Sequence, residues 1–192
     1  MITRTSRFAP APTGRLHLGH VVNAIHVWGL VGAAGGRVLL RIEDHDRQRS
    51  RRDYEATILD DLDWLGFVPD EPPTSAFRAG ACDGRQSDRG AVYDRALETL
   101  RVRGLVYACA CTRREIVSAG GGGEELRYPG TCALLGLGEE PGRGLRVRLD
   151  PSAERFDDGR HGVQVQRPHE QCGDLLVRDR EGNWTYQFAV TV

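Results

Sequence analysis

Arg7-Phe8-Ala9-Pro10-Ala11-Pro12-Thr13-Gly14-Arg15-Leu16-His17-Leu18-Gly19-His20 is the stretch from which the fold is read. Thr3 to Ala9 forms a short β-type run, broken by Pro10 and Pro12. Gly14 to Gly19 reads as a turn. A helix is expected from about His20 to Gly35, with Val21, Ala24, Ile25, Trp28 and Val31 at helical spacing. Gly35-Gly36 ends it. Arg37-Val38-Leu39-Leu40-Arg41-Ile42 then reads as a buried parallel strand. Strand, crossover helix and strand open an α/β doubly wound sheet.

The chemistry concentrates where the first strand feeds the helix. Free backbone N–H groups and the helix dipole favour an anion there. His17 and His20, at i and i+3, add two donors for charge developing on a phosphate oxygen. Gly19 lets a ligand approach the backbone. Taken alone, the two histidines read equally well as helix caps or surface residues, because short motifs arise by chance. Glu43 and Asp44 follow the second strand, at the end where open α/β sheets bind ligands. Taken alone, they read as a solvated strand end paired with arginines.

Further along, Arg52 to Leu65 is an amphipathic helix and Pro69 to Pro73 a loop. Ala91 to Arg103 is helical and Leu105 to Ala108 a short strand. Residues 109–132 look like an insertion, with a mobile Gly120-Gly121-Gly122-Gly123 run. Leu145 to Leu149 alternates as a half-buried strand, Asp174 to Arg178 is another, and Glu181-Gly182-Asn183 supplies a turn. Trp184 to Val192 begins a new apolar element on which the chain ends. The expected division is therefore 1–108 as the first half of a nucleotide-binding catalytic domain, 109–132 as a zinc-binding insertion, and 133–192 as the remainder of the insertion and the return to the first domain, truncated at its end.

Composition narrows the class. Apolar residues make up 40% and charged residues 28%, the soluble globular range. No apolar run approaches the ~20 residues of a membrane span, and the first residues carry no export signal. A cytoplasmic, monomeric protein without membrane contact is expected. The net charge of −1 gives no global basic field for nucleic acid. There is no lysine, so all 26 basic residues are arginines. Chemistry that needs a lysine ammonium is absent from this stretch of chain.

Five cysteines, an odd number, argue against a disulfide framework. Cys109-Ala110-Cys111 and, beyond the glycine run, Cys132 suit a tetrahedral thiolate site for a metal such as zinc. Three buried free thiols are the alternative.

Taken together, these segments resemble the class I aminoacyl-tRNA synthetases. Arg7 to His20 resembles their His-Ile-Gly-His signature, with Arg-Phe-Ala-Pro-x-Pro-Thr-Gly typical of the glutamyl and glutaminyl subgroup. Arg41-Ile42-Glu43-Asp44-His45-Asp46 matches the subgroup's Arg-Ile-Glu-Asp-x-Asp. Gln86-Ser87-Asp88-Arg89 with Tyr93, and Thr185 to Val190, are similar to two further segments in family order. The resemblance implies a Rossmann-like catalytic domain with a small zinc-binding insertion. It implies glutamate, ATP with Mg²⁺, and tRNA as substrates. His17 and His20 would hold the ATP phosphates, Arg7 a glutamate carboxylate, Glu43 the ammonium group, and Tyr186 the substrate side chain. Ala9 and Ala11 would line the same substrate site. For Tyr186, core packing is the plain alternative. The family's insertion orders its ligands as C-x-C and Tyr-x-x-x-Cys, which implies structural Zn²⁺ on Cys109, Cys111, Tyr128 and Cys132. Water, His161 or His169 are alternatives to Tyr128. Arg113, Arg114 and Arg127 would contact RNA phosphates or simply be solvated charge.

Within the family, Gln86 to Cys132 is most similar to the queuosine-directed branch, which glutamylates tRNA(Asp). The N-terminal part of an ordinary glutamyl-tRNA synthetase is the runner-up; a generic nucleotidyltransferase and a non-catalytic zinc-stabilised RNA-binding remnant are the other classes. Two departures stand out. Ala11 replaces a customary serine, and the second half of the family's site, with its lysine signature, has no counterpart here. The expectation is therefore an incomplete sheet and a chain that is inactive, or nearly so, alone.

Overall fold

Two units follow one another along the chain, Met1–Ala91 and Val92–Val192. A computed structural model describes residues 4–119 and 127–192; the Gly120 to Gly123 run lies outside the described residues. Residues 109–132, read from the sequence as an insertion, fall wholly within the second unit.

In the first unit, β1 (Thr5–Phe8) and β2 (Arg37–Leu40) pair in parallel, Thr5 opposite Arg37 and Phe8 opposite Leu40. The crossover is α1 (Leu18–Ala33). Proline removes an N–H but keeps its carbonyl, so the pairing outlasts the strand: Arg41 N donates to Phe8 O and Glu43 N to Pro10 O, both at 3.0 Å. That continuation carries Glu43 alongside the turn into α1. Ala24 and Val31 of α1 are buried, whereas Ile25 is 55% exposed. The apolar stripe is thus narrower than its spacing suggested. Phe8, Leu40, Ile42, Ile58 and Leu62 form the core, with α2 (Arg52–Leu65) supplying the last two.

Two elements beyond α2 close this unit. Pro73 starts a short helix, α3 (Thr74–Ala79), that the loop-like sequence concealed. A 3₁₀ turn (Gln86–Arg89) follows, and the residue before it, Arg85, joins the sheet through one parallel bridge to Ile42.

From Val92 onward, α4 (Gly90–Val102) belongs to the second unit and buries Tyr93 and Leu97. Its sheet is antiparallel, with β4 (Gly144–Val147) between β3 (Val106–Cys109) and β7 (Leu175–Arg178). Parallel strand pairing, expected throughout a doubly wound sheet, is therefore seen only in the first unit among the described residues. The half-buried assignment of β4 needs correction too. As the central strand it is covered on both faces, and Arg146 is only 7% exposed. β5 (Glu154–Asp158) and β6 (Gly162–Gln166) make a hairpin not expected from the sequence. Its Val163, Val165 and Phe156 are largely exposed, so it lacks the buried alternation that marks a strand. Two helices also escaped the sequence reading: α5 (Arg113–Ala119) and the four-residue α6 (Pro168–Gln171). The closing apolar element is helical, α7 (Tyr186–Thr191), and Phe188 stacks on Trp184 at 5.3 Å. Among the described residues, no helix is long and apolar enough to cross a membrane.

Candidate functional site

His17 is the N-cap of α1, in extended conformation at φ −133° and ψ 173°. Its Nδ1 accepts from Gly19 N at 3.1 Å, and His20 Nδ1 accepts from His17 N at 3.2 Å. The two rings cap the helix reciprocally, their centroids 4.0 Å apart. A backbone N–H can only donate, so both Nδ1 atoms are unprotonated and each neutral ring carries its proton on Nε2. Capping and phosphate chemistry are therefore compatible. The cap fixes the tautomer that leaves an Nε2–H donor on each ring, at the electropositive end of a 16-residue helix.

Desolvation first, and then the proximity of His17, lowers the pKa of His20 below the ordinary 6.5. The sign follows by linkage. A histidine held neutral by the fold contributes stability that is complete above 6.5 and is lost as pH falls through its lower folded value. The ring of His20 is expected to titrate by NMR with a midpoint below 6.5; a midpoint above it would mean the cap is not formed. Gly19 leaves room for the His17 ring. A Cβ there would lie 2.9 Å from Cε1 of His17. Gly19→Ala should displace that ring and lose the cap, worth about 1 kcal/mol in thermal or denaturant unfolding.

Arg7 is exposed on β1, Ala9 is half-buried, and Ala11 is exposed between the two prolines. Glu43 has a side chain only 12% exposed and pairs with Arg41 at 3.7 Å. Asp44 is different: it is buried and fully engaged, accepting from Ser87 N at 2.8 Å and from Ser87 Oγ at 2.5 Å. The Arg-Ile-Glu-Asp-x-Asp segment thus divides its labour. Asp44 anchors the strand end to the 3₁₀ turn, Asp46 binds Arg49 at 2.6 Å, and Glu43 is left nearest a ligand-facing role. Tyr186 belongs to the second unit, at the first turn of α7, and is 52% exposed.

The second constellation lies entirely in the second unit. The sulfurs of Cys109, Cys111 and Cys132 all fall within 4.8 Å of one another, with Cys111 and Cys132 at 3.5 Å. Zinc with Zn–S bonds of about 2.3 Å holds tetrahedral sulfurs about 3.8 Å apart, so the triad has the right dimensions. Tyr128 is buried, and its hydroxyl oxygen accepts from Cys132 N at 2.9 Å and from the Cys109 thiol at 3.4 Å. It therefore stands as the fourth oxygen or sulfur atom of the group. His161 and His169 contribute no atom to the cluster. Burial, and then Cys132, pushes the Cys111 thiol up to about 11. Such thiols do not ionise together unless a cation joins them. The donor set fits a divalent, thiophilic metal. Arg113 and Arg114 sit exposed in the first turn of α5, and Arg127 is exposed beside Tyr128.

Sequence reasoning missed Arg146 and Asp174. Arg146 lies 3.6 Å over the Tyr128 ring, and Arg148, on the same face of β4, lies 4.6 Å over Tyr107. An Arg-x-Arg alternation signals a solvent face, and nothing in the local sequence marks tyrosines covering it.

The model of the class I tRNA synthetase (E and Q) catalytic domain matches residues 4–192. A glutamyl-Q tRNA(Asp) synthetase of Rhodobacter capsulatus is 39% identical, over 97% of this chain and 71% of its own length. One from Cupriavidus metallidurans is 43% identical, over 97% of this chain and 59% of its own length. Among solved structures, a glutamate tRNA ligase from Elizabethkingia meningosepticum, in complex with its amino acid, superposes with a TM-score of 0.76 at 29% identity. That match covers 98% of this chain and 40% of the ligase.

Proposed function

The chain belongs to the class I tRNA synthetases of the E and Q type, and we propose that it activates glutamate with ATP and passes it to tRNA(Asp), at queuosine. The observation that carries this reading is the reciprocal cap of His17 and His20, which presents two neutral Nε2–H donors at the N-terminus of α1. Those donors meet the negative charge that grows on ATP phosphate oxygens as glutamyl-adenylate forms. Arg7 offers a guanidinium to a glutamate carboxylate, and Glu43, paired with Arg41 at 3.7 Å, would turn its carboxylate to the ammonium group. Ala9 and Ala11 are small enough to leave room beside them, and Tyr186 is assigned to the substrate side chain. The choice of queuosine over the ordinary acceptor end is supported by the two named relatives.

Cys109, Cys111, Tyr128 and Cys132 would hold Zn²⁺, and Mg²⁺ would accompany ATP. Bound zinc supplies a structural cross-link for residues 109–132. These residues would organise an RNA-facing surface to which Arg113, Arg114 and Arg127 contribute. The chain has no lysine, so any phosphate neutralisation by its own side chains falls to arginine.

Glutamate-dependent ATP–pyrophosphate exchange tests the proposal, run with and without tRNA. In a form of the protein that supplies the second half of the family's site, exchange without tRNA, followed by transfer to queuosine-containing tRNA(Asp), is the expected result; the 192 residues alone are expected to show little or none. Exchange only with tRNA would favour an ordinary glutamyl-tRNA synthetase instead. RNA binding with no exchange under either condition would favour a non-catalytic role.

A further inference from the structure

Arg146 is a buried cation with no carboxylate of its own. It is 7% exposed and forms no ion pair among the described residues. One Nη donates to the carbonyl oxygen of Asp174 at 2.7 Å, and Nε is buried without a partner. The carboxylate of Asp174 is committed elsewhere, accepting from the Tyr107 hydroxyl at 2.7 Å and from Leu149 N at 3.0 Å. A buried charge in this condition is costly unless an opposite charge balances it.

The group on its open side is the thiol cluster. The guanidinium stacks on Tyr128 at 3.6 Å, and the hydroxyl of that ring sits among Cys109, Cys111 and Cys132. A divalent ion held by three thiolates carries one net negative charge. We propose that Arg146 is the built-in counterion of this metal–thiolate centre, and that by stacking on Tyr128 it also holds the fourth ligand in place. This rests on the zinc reading above.

The placement of Tyr128 supports a positioning role. Its N donates to Cys172 O at 3.0 Å. Gly173, at φ +65°, approaches so closely that a Cβ there would meet Tyr128 O at 2.2 Å. Backbone contact fixes one side of the tyrosine and Arg146 the ring face. A cleft of about 770 Å³, lined by Cys109, Cys111, Tyr128 and Arg146 among others, gives the metal a path in.

The test is zinc affinity by chelator competition on the purified protein, beside thermal unfolding of the metal-stripped form. Arg146→Met keeps most of the stacked volume and removes the charge. It should weaken zinc binding about 10–100-fold, the usual effect of removing an outer partner, while metal-stripped unfolding stays unchanged or rises. Arg146→Lys should recover part of that affinity. Equal losses for Met and Lys would show that stacking, not charge, matters and would overturn the counterion role. So would wild-type affinity in Arg146→Met, or a loss matched by lower metal-free stability. Failure of the wild-type protein to bind zinc would instead overturn the zinc reading itself.

Discussion

Arg85→Met is expected to destabilise the first unit by about 3–5 kcal/mol, the typical cost of stranding one partner of a buried ion pair. Arg85 is 2% exposed and Glu55 5% exposed. Every donor of the guanidinium is used: Nε faces both Glu55 oxygens at 3.2 Å, Nη1 reaches Gly80 O at 2.8 Å and Asp88 at 2.7 Å, and Nη2 reaches Glu55 and, at 2.8 Å, Phe77 O. Removing the cation leaves Glu55 buried beside Ile58 and Leu59 with only the more exposed Arg52 for company, at 3.3 Å. It also leaves two carbonyls and Asp88 short of a donor. Urea unfolding monitored by circular dichroism reads the loss. Glu55→Leu combined with Arg85→Met should recover much of it, because no charge is then stranded. A single-variant loss below about 1 kcal/mol would mean that water reaches Glu55, and the burial argument would fail.

This network shows how far sequence reading extends. Glu55 lies on the polar-looking flank of α2, and Arg85 precedes a segment recognised only by resemblance. Helical periodicity reads the amphipathic α2, where Ile58, Leu59 and Leu62 are buried, because burial repeats along one helix face. It could not locate Arg85, whose burial depends on three separate segments meeting. The same limit explains β4. Arg146 and Arg148 alternate like solvent-facing residues, yet tyrosines from distant segments cover them. By contrast, strand–turn–helix around Pro10 to His20 was legible, since prolines, glycines and a cap act locally. Both local readings of the histidines hold in part: they are caps, and capping is what sets their tautomers. Asp44 was grouped with Glu43 by the motif, but its hydrogen bonds to Ser87 make it a strut. The cysteine triad was legible from spacing. Dismissing His161 and His169 from the cluster required coordinates.

Under the proposed function, His17→Asn should separate the observed cap from the proposed phosphate contact, lowering glutamate-dependent exchange about 10²–10³-fold with little change in stability. Asparagine is among the best N-caps, so its side-chain oxygen replaces Nδ1 as acceptor for Gly19 N. Its amide N–H groups do not extend to the position of Nε2, however, and the donor proposed for the phosphate oxygen is lost. His17→Ala removes both duties and should add a stability loss of about 1 kcal/mol. The two rings also touch, their centroids 4.0 Å apart. Substituting either one therefore disturbs its neighbour, and the double variant should lose less activity than the product of the single losses. Exchange assays in whichever form of the protein supports exchange, paired with unfolding curves, give both readouts. If His17→Asn kept wild-type exchange, the imidazole would be a cap alone, and the phosphate role would pass to the helix N-terminus and its backbone amides.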